Sequence, residues 1–269
     1  MELFHLHRGS SPLLISMPHV GTYVPPELAA RMTDAGRLVA DTDWHVDRLY
    51  DFLEGLAASV LCPTHSRYVV DLNRPPDGAN LYPGQDTTAL VPLDTFAREP
   101  VYRSGEAPGE REVADRIARY WRPYHDALQD ELARIRTAHG YALLWDAHSI
   151  ASELPRFFSG RLPDLNFGTA SGGSCAPAMQ SAVFEEARRT TGYTAVLNGR
   201  FKGGYITRAY GRPADGIHAI QLELSQRTYM DEPPPFEFRE DLAGRLRPAL
   251  RRFLEAFLEA ATVFARRRP

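Results

Sequence analysis

Apolar positions along this chain recur at two spacings, and the places where one gives way to the other mark out its elements. "PLLISMPH", residues 12 to 19, is a short apolar run broken by Pro18 and predicts a buried strand. "PPELAARMTDAG" after it predicts a helix opened by proline and closed by Gly36. In "TDWHVDRLYDFLEGLAA", residues 42 to 58, Val46, Leu49, Tyr50, Leu53 and Leu56 fall on one face of a helix. "SVLCP" and "SRYVVDLNR" predict two more strands, and the Pro-, Gly- and Asp-rich residues 75 to 109 a long loop region. A helical pattern runs from Glu110 to His139 through Val113, Ile117, Tyr120, Leu128, Leu132 and Ile135, with Pro123 expected to kink or split it. There follow the strand "YALLWDAH", a loop to Pro177, a helix to about Thr191, the strand "YTAVLN", the glycine-bearing "FKGGYITRAYG" and the strand "IHAIQLELSQ". A last amphipathic helix covers 239 to 266, and its end, "ARRRP", reads as a solvated tail.

Strand and helix periods alternate without a repeat, which predicts an α/β fold: one domain over 1–269, a mixed, mostly parallel sheet, helices on both faces. Ligands of such sheets bind beyond the carboxyl ends of the strands. Position along a strand therefore carries information about function.

Composition narrows the partners. With 43% hydrophobic residues, 269 positions suffice for a sizeable core. A net charge of -3 and pI near 6.3 argue against nucleic acid or an anionic membrane as the partner. No apolar segment is long enough to span a bilayer, and the histidines and arginine of "MELFHLHRGSSPLLIS" do not suit a secretory leader. Two cysteines, Cys62 and Cys175, fit a reducing cytoplasm. The oligomeric state is not legible.

Three predicted strands end in groups able to bind a metal or an anion: His19, the pair Asn73 and Arg74, and His148. Singly, each has a plainer reading. A histidine after a strand is usually a hydrogen-bonded loop residue, and Asp41, Asp43 and Asp47 suit a helix start as caps. Glu223 is harder to set aside, because in "AIQLEL" it lies opposite Ile220, Leu222 and Leu224, on a face that must meet water or a polar cavity. There is no His-Glu-x-x-His helix, no Cys-x-x-Cys pair and no Gly-x-Ser-x-Gly elbow, so any site is dispersed. Two imidazoles and a carboxylate would suffice for a catalytic zinc with a position left for water.

"SMPHVGTYVP", "DTDWHVDRLYD", "SRYVVDLNRP", "WDAHSI", "FKGGYITRAYG" and "QLELSQ" together resemble, in order from about residue 16 to 227, the N-formylglutamate amidohydrolase (deformylase) family. That family is similar in fold to zinc carboxypeptidases and aspartoacylases. The resemblance implies one zinc ion, His19 and His148 as its ligands, Glu223 as catalytic glutamate, and Asn73 with Arg74 holding a substrate carboxylate. The wider carboxypeptidase pattern has a ligand glutamate three residues after its first histidine, where this chain has Thr22. The third ligand is then expected from "DTDWHVD": Asp43 first, Asp47 second, with His45 able to assist. N-formyl-L-glutamate, a small dicarboxylate, would draw on Arg67, Arg74, Lys202 and Arg208, with Arg67 stabilising the oxyanion and Arg208 binding substrate. The implied reaction releases formate and L-glutamate, late in histidine degradation. Hydrolysis of another N-acyl amino acid or of a carboxy-terminal peptide bond, and a non-catalytic binder of acidic metabolites, are the alternatives.

Overall fold

Seven strands, among the residues 2–81 and 83–265 that the computed structural model describes, make one sheet in the order β1-β3-β2-β4-β7-β5-β6. They are β1 (Phe4–His7), β2 (Leu13–Ser16), β3 (Ser59–Pro63), β4 (Ala142–Ile150), β5 (Leu165–Gly168), β6 (Ala195–Leu197) and β7 (Ile217–Ser225). The pairs β3·β2, β2·β4, β4·β7 and β5·β6 are parallel, whereas β1·β3 and β7·β5 are antiparallel. The sheet is mixed and mostly parallel, as expected. β1 and β5 were not anticipated; each has four residues, too few for a clear period.

One face of the sheet carries Ile15, Trp145, Ile220 and Leu222, packed against α6 (Pro177–Arg189) and α8 (Glu240–Ala265). The other carries Leu14, Leu144 and Ala219 against α5 (Arg122–His139) and α7 (Tyr205–Tyr210). β4 and β7 are buried along their whole length, which fits central strands covered on both sides. No helix among the described residues is long and apolar enough to cross a membrane. The arginine-rich end at 266–269 lies outside the described residues.

Three expectations need correction. "PPELAARMTDAG" makes two single turns, α1 (Pro26–Ala29) and α2 (Asp34–Arg37), because Thr33 starts a new helix by accepting from Gly36 N at 3.0 Å. The helix expected over 42–58 is a short α3 (Val46–Leu49) and one tight turn, Leu53–Leu56, with His45 and Ala57 left-handed at either end. "SRYVVDLNR" is not a strand. Its backbone turns at Ser66–Val69 and Asp71–Arg74, and the Asp71 side chain accepts from Asn73 N at 2.8 Å, an arrangement that competes with a sheet ladder. Pro123 acts as expected. Between α4 (Glu110–Arg116) and α5 the chain forms a wide π turn at Ile117–Trp121, next to the proline that cannot donate to the preceding turn.

Candidate active site

β2, β4 and β7 are neighbours and run parallel, so their carboxyl ends deliver side chains to one place. Ser16 pairs with Asp146, Asp146 with Gln221, and His148 with Glu223. Alternation along each strand puts Asp146 and His148 on one face, and Gln221 and Glu223 beside them. His19 follows β2, and its carbonyl accepts from Asp43 N at 3.0 Å, which ties the acidic segment to the strand end.

His19, Asp43 and His148 are buried, with one ligand atom of each within 4.8 Å of the others. Asp43 Oδ2 lies 2.9 Å from His148 Nδ1 and 3.6 Å from His19 Nδ1. Donor atoms around a tetrahedral zinc with bonds of 2.0–2.1 Å stand roughly 3.3 Å apart, so this set fits such an ion in both chemistry and spacing. The far side of each ring is held by a carboxylate: His19 Nε2 by Asp71 Oδ1 at 2.7 Å, His148 Nε2 by Asp146 Oδ1 at 3.1 Å. A carboxylate only accepts, so each of these contacts favours a proton on Nε2, while Asp43, also a carboxylate, favours one on Nδ1 where no metal stands between them. Asn73 Nδ2, 2.9 Å from His148 Nε2, favours the opposite tautomer of His148. The two partners make that ring the adjustable member of the trio.

Charge in the cluster is unevenly shared. Burial would raise the Asp43 carboxyl, but the charge of His19 and the hydrogen bonds of both histidines hold it well below the ordinary range. Asp71 is likewise kept low against burial by Arg67, 2.6 Å away, and by His19. Glu223 goes the other way. It is 8% exposed, and burial pushes its pKa up to about 8, with His148 opposing and Asp43 adding to the rise. Gln221 Nε2 donates to Glu223 Oε2 at 3.2 Å.

His19, His148, Glu223, Arg67, Asn73 and Arg74 line one cleft. Asp47 is exposed on α3 and outside the trio, and His45 Nε2 meets Phe236 O at 2.7 Å, so neither joins it. Arg208 donates to Gly203 O at 2.8 Å and Lys202 is exposed; neither lines the cleft. The glycines of "FKGGY" have a steric role. Gly203 has φ +110°, and a Cβ on Gly204 would stand 2.3 Å from the Asn73 amide. Asn73 Oδ1 in turn accepts from Ile206 N at 2.8 Å.

Asp71 and Arg200 were not foreseen, and Asp146, conspicuous in the sequence as a carboxylate beside His148, was given no role. Asp146 was findable, since two residues before His148 on a strand is the same face. Asp71 had no such signal, because its contact to His19 spans 52 residues through a turn. Arg200 follows β6 and lines the cleft beside Phe157 and Phe201.

The family model for N-formylglutamate amidohydrolase matches residues 11–230. The chain is 51% identical over 257 residues to an N-formylglutamate deformylase of Pseudomonas aeruginosa, and 49% identical over 257 residues to one of Pseudomonas putida, with 96% of each chain covered in both cases. Among solved structures it is similar to an N-formylglutamate amidohydrolase from Ralstonia eutropha JMP134, with a TM-score of 0.80, 27% identity and 99% of both chains covered. A gene product of Agrobacterium tumefaciens shares the fold, with a TM-score of 0.69 at 18% identity, covering 98% of this chain and 95% of that one. On the strength of the family match and of relatives at about half identity along nearly its whole length, the chain belongs to the N-formylglutamate amidohydrolase family.

Proposed function

We propose that the protein hydrolyses N-formyl-L-glutamate to formate and L-glutamate, with one zinc ion held by His19, Asp43 and His148. The observation that carries this reading is the convergence of two imidazole Nδ1 atoms and a carboxylate beside Glu223, a buried carboxyl group on the neighbouring strand in register with His148. Zinc bound there would supply a Lewis acid for the formyl oxygen and lower the pKa of a bound water from 15.7 to about 7. Glu223 takes a proton from the attacking water. The water oxygen adds to the formyl carbon, the carbon–nitrogen bond breaks, and Glu223 returns the proton to the departing amine. Burial moves the Glu223 carboxyl from the ordinary glutamate range toward neutral pH, where one group can both accept and return a proton. Arg67 sits in the cleft wall, held by Asp71 Oδ2 at 2.6 Å and Asp41 O at 3.3 Å, and its guanidinium charge stabilises the developing oxyanion. Arg74, held by Thr88 O at 3.2 Å, faces the same cleft and binds a substrate carboxylate together with Asn73. The products suit a late step of histidine degradation, and the free thiols Cys62 and Cys175 suit a reducing cytoplasm.

The test is metal analysis of the purified protein together with formate release from N-formyl-L-glutamate, N-formyl-L-leucine and N-acetyl-L-glutamate. The expected result is one zinc per chain and turnover of the first compound far above the other two. Equal cleavage of N-formyl-L-leucine would show that the second carboxylate goes unread.

A further inference from the structure

We propose that Arg200 is the specificity-determining residue for the side-chain carboxylate of the substrate, while Arg74 takes the α-carboxylate. This rests on the dicarboxylate reading above. The cleft brings three guanidinium groups to one volume: Arg67, Arg74 and Arg200. Arg67 stands among the carboxylates on the side of the trio, at 2.6 Å from Asp71 and 3.8 Å from Asp43. Arg74 belongs to the inner end, because its neighbour Asn73 touches His148. The α-carboxylate is bonded to the carbon that carries the scissile nitrogen, so it must bind close to the reacting atoms.

Arg200 lines the same cleft from the segment after β6, beside Phe157 and Phe201. Its Nε donates to Phe157 O at 2.8 Å, which fixes the plane of the guanidinium, and its charge stands 5.4 Å from the Phe201 ring centre. Phe96, Phe157 and Phe201 line the cleft and belong to one apolar cluster with Ile150 and Leu162, which reaches from Arg200 to the Phe96 ring 4.9 Å from Arg67. An apolar wall ending in an oriented cation suits a short methylene chain ending in a carboxylate. Phe157 is itself fixed from behind. The neighbouring Arg156 grips Asp86 at 3.1 Å, Asp94 at 3.0 Å and Thr95 O at 2.7 Å, joining the loop that carries Phe157 to the loop that carries Phe96. The cation that reads the side chain is thus oriented by a carbonyl on a braced loop.

The test compares N-formyl-L-glutamate with its neutral isostere N-formyl-L-glutamine in the wild-type, Arg200→Gln, Arg200→Lys and Arg74→Gln enzymes. Arg200→Gln should lower kcat/KM for N-formyl-L-glutamate about 100-fold, chiefly through KM, as expected when one partner of a desolvated charge pair is truncated. Its kcat/KM for N-formyl-L-glutamine should stay within about threefold of wild type, and Arg200→Lys should restore part of the preference. Arg74→Gln should reduce both substrates alike, since both carry the α-carboxylate. An unchanged preference in Arg200→Gln, or an equal loss on both substrates, overturns the assignment. Calorimetric binding of L-glutamate and L-glutamine to the same proteins reads Arg200 without turnover. Loss of the difference in Arg200→Gln supports the assignment, and its persistence overturns it, whether or not the wild type releases formate. Absence of formate release from wild type overturns the deformylase reading alone.

Discussion

Asp71 joins both ends of the site through one carboxylate. Its Oδ1 faces His19 Nε2 at 2.7 Å and accepts from Asn73 N at 2.8 Å, and its Oδ2 accepts from Arg67 at 2.6 Å. A metal-bound ring held this way loses its orientation when the carboxylate goes. Asp71→Asn should therefore weaken zinc binding about 10- to 100-fold, measured by competition with a chromogenic chelator. Glu223→Gln should behave differently. It keeps volume and hydrogen-bonding shape while losing the proton acceptor, so kcat should fall by roughly 10² to 10⁴ with zinc content unchanged. A Glu223→Gln enzyme that has lost its metal would reveal a ligand in place of a base. The pattern of the sequence placed Glu223 on a polar face opposite Ile220, Leu222 and Leu224, because period two survives on a single strand. The Asp71 contact was hidden, because it depends on where a turn places residues far apart in the chain.

At the scale of elements, the segment 66–74 shows why alternation misled. Tyr68, Val69, Val70 and Leu72 are buried, so the apolar pattern was right about burial and wrong about conformation. What holds the turn is a helix. His125 of α5 meets Leu72 O through Nε2 and Tyr210 OH through Nδ1, both at 2.9 Å, and Trp121 Nε1 donates to Arg74 O at 3.0 Å. Burial pushes the His125 pKa down from 6.5 to about 4, only partly offset by Leu72 O and Asp146. The neutral ring thus stabilises the fold fully above pH 6.5, and that contribution is lost as pH falls toward 4. Urea unfolding of the metal-free protein should show about 2 kcal/mol lost between pH 6.5 and 5 that His125→Gln does not lose. Equal slopes in the two proteins would remove His125 from this role. The long helices and central strands were legible because each spans several periods, whereas β1, β5 and the short turns do not.

For the whole molecule, the net charge of -3 gives no hint that three arginines from separate segments line one cleft, since they gather there only on folding. The core clusters on the two faces of the sheet contain none of the proposed zinc ligands, so the chain should fold without metal and be stabilised by it. At free zinc about 1,000-fold above its dissociation constant the gain is about 4.1 kcal/mol, or about 5 to 10 °C in Tm for a chain of this size. Thermal scans with and without a strong chelator measure that shift. No shift would mean that the trio does not hold the ion.

His148 and Glu223 face each other across the central pair β4 and β7, strands paired in register from Ala142↔Ile217 to Ile150↔Ser225 and buried throughout. Their separation is therefore set by backbone ladder spacing, about 4.8 Å, and not by loop conformation. Fluctuations that loosen surface segments leave that spacing alone. Amide hydrogens of β4 and β7 should exchange only through global opening, among the slowest in the protein. On heating, the turnover of an unsaturated substrate should decline early as the braced loops loosen, while saturated turnover persists until the sheet itself melts.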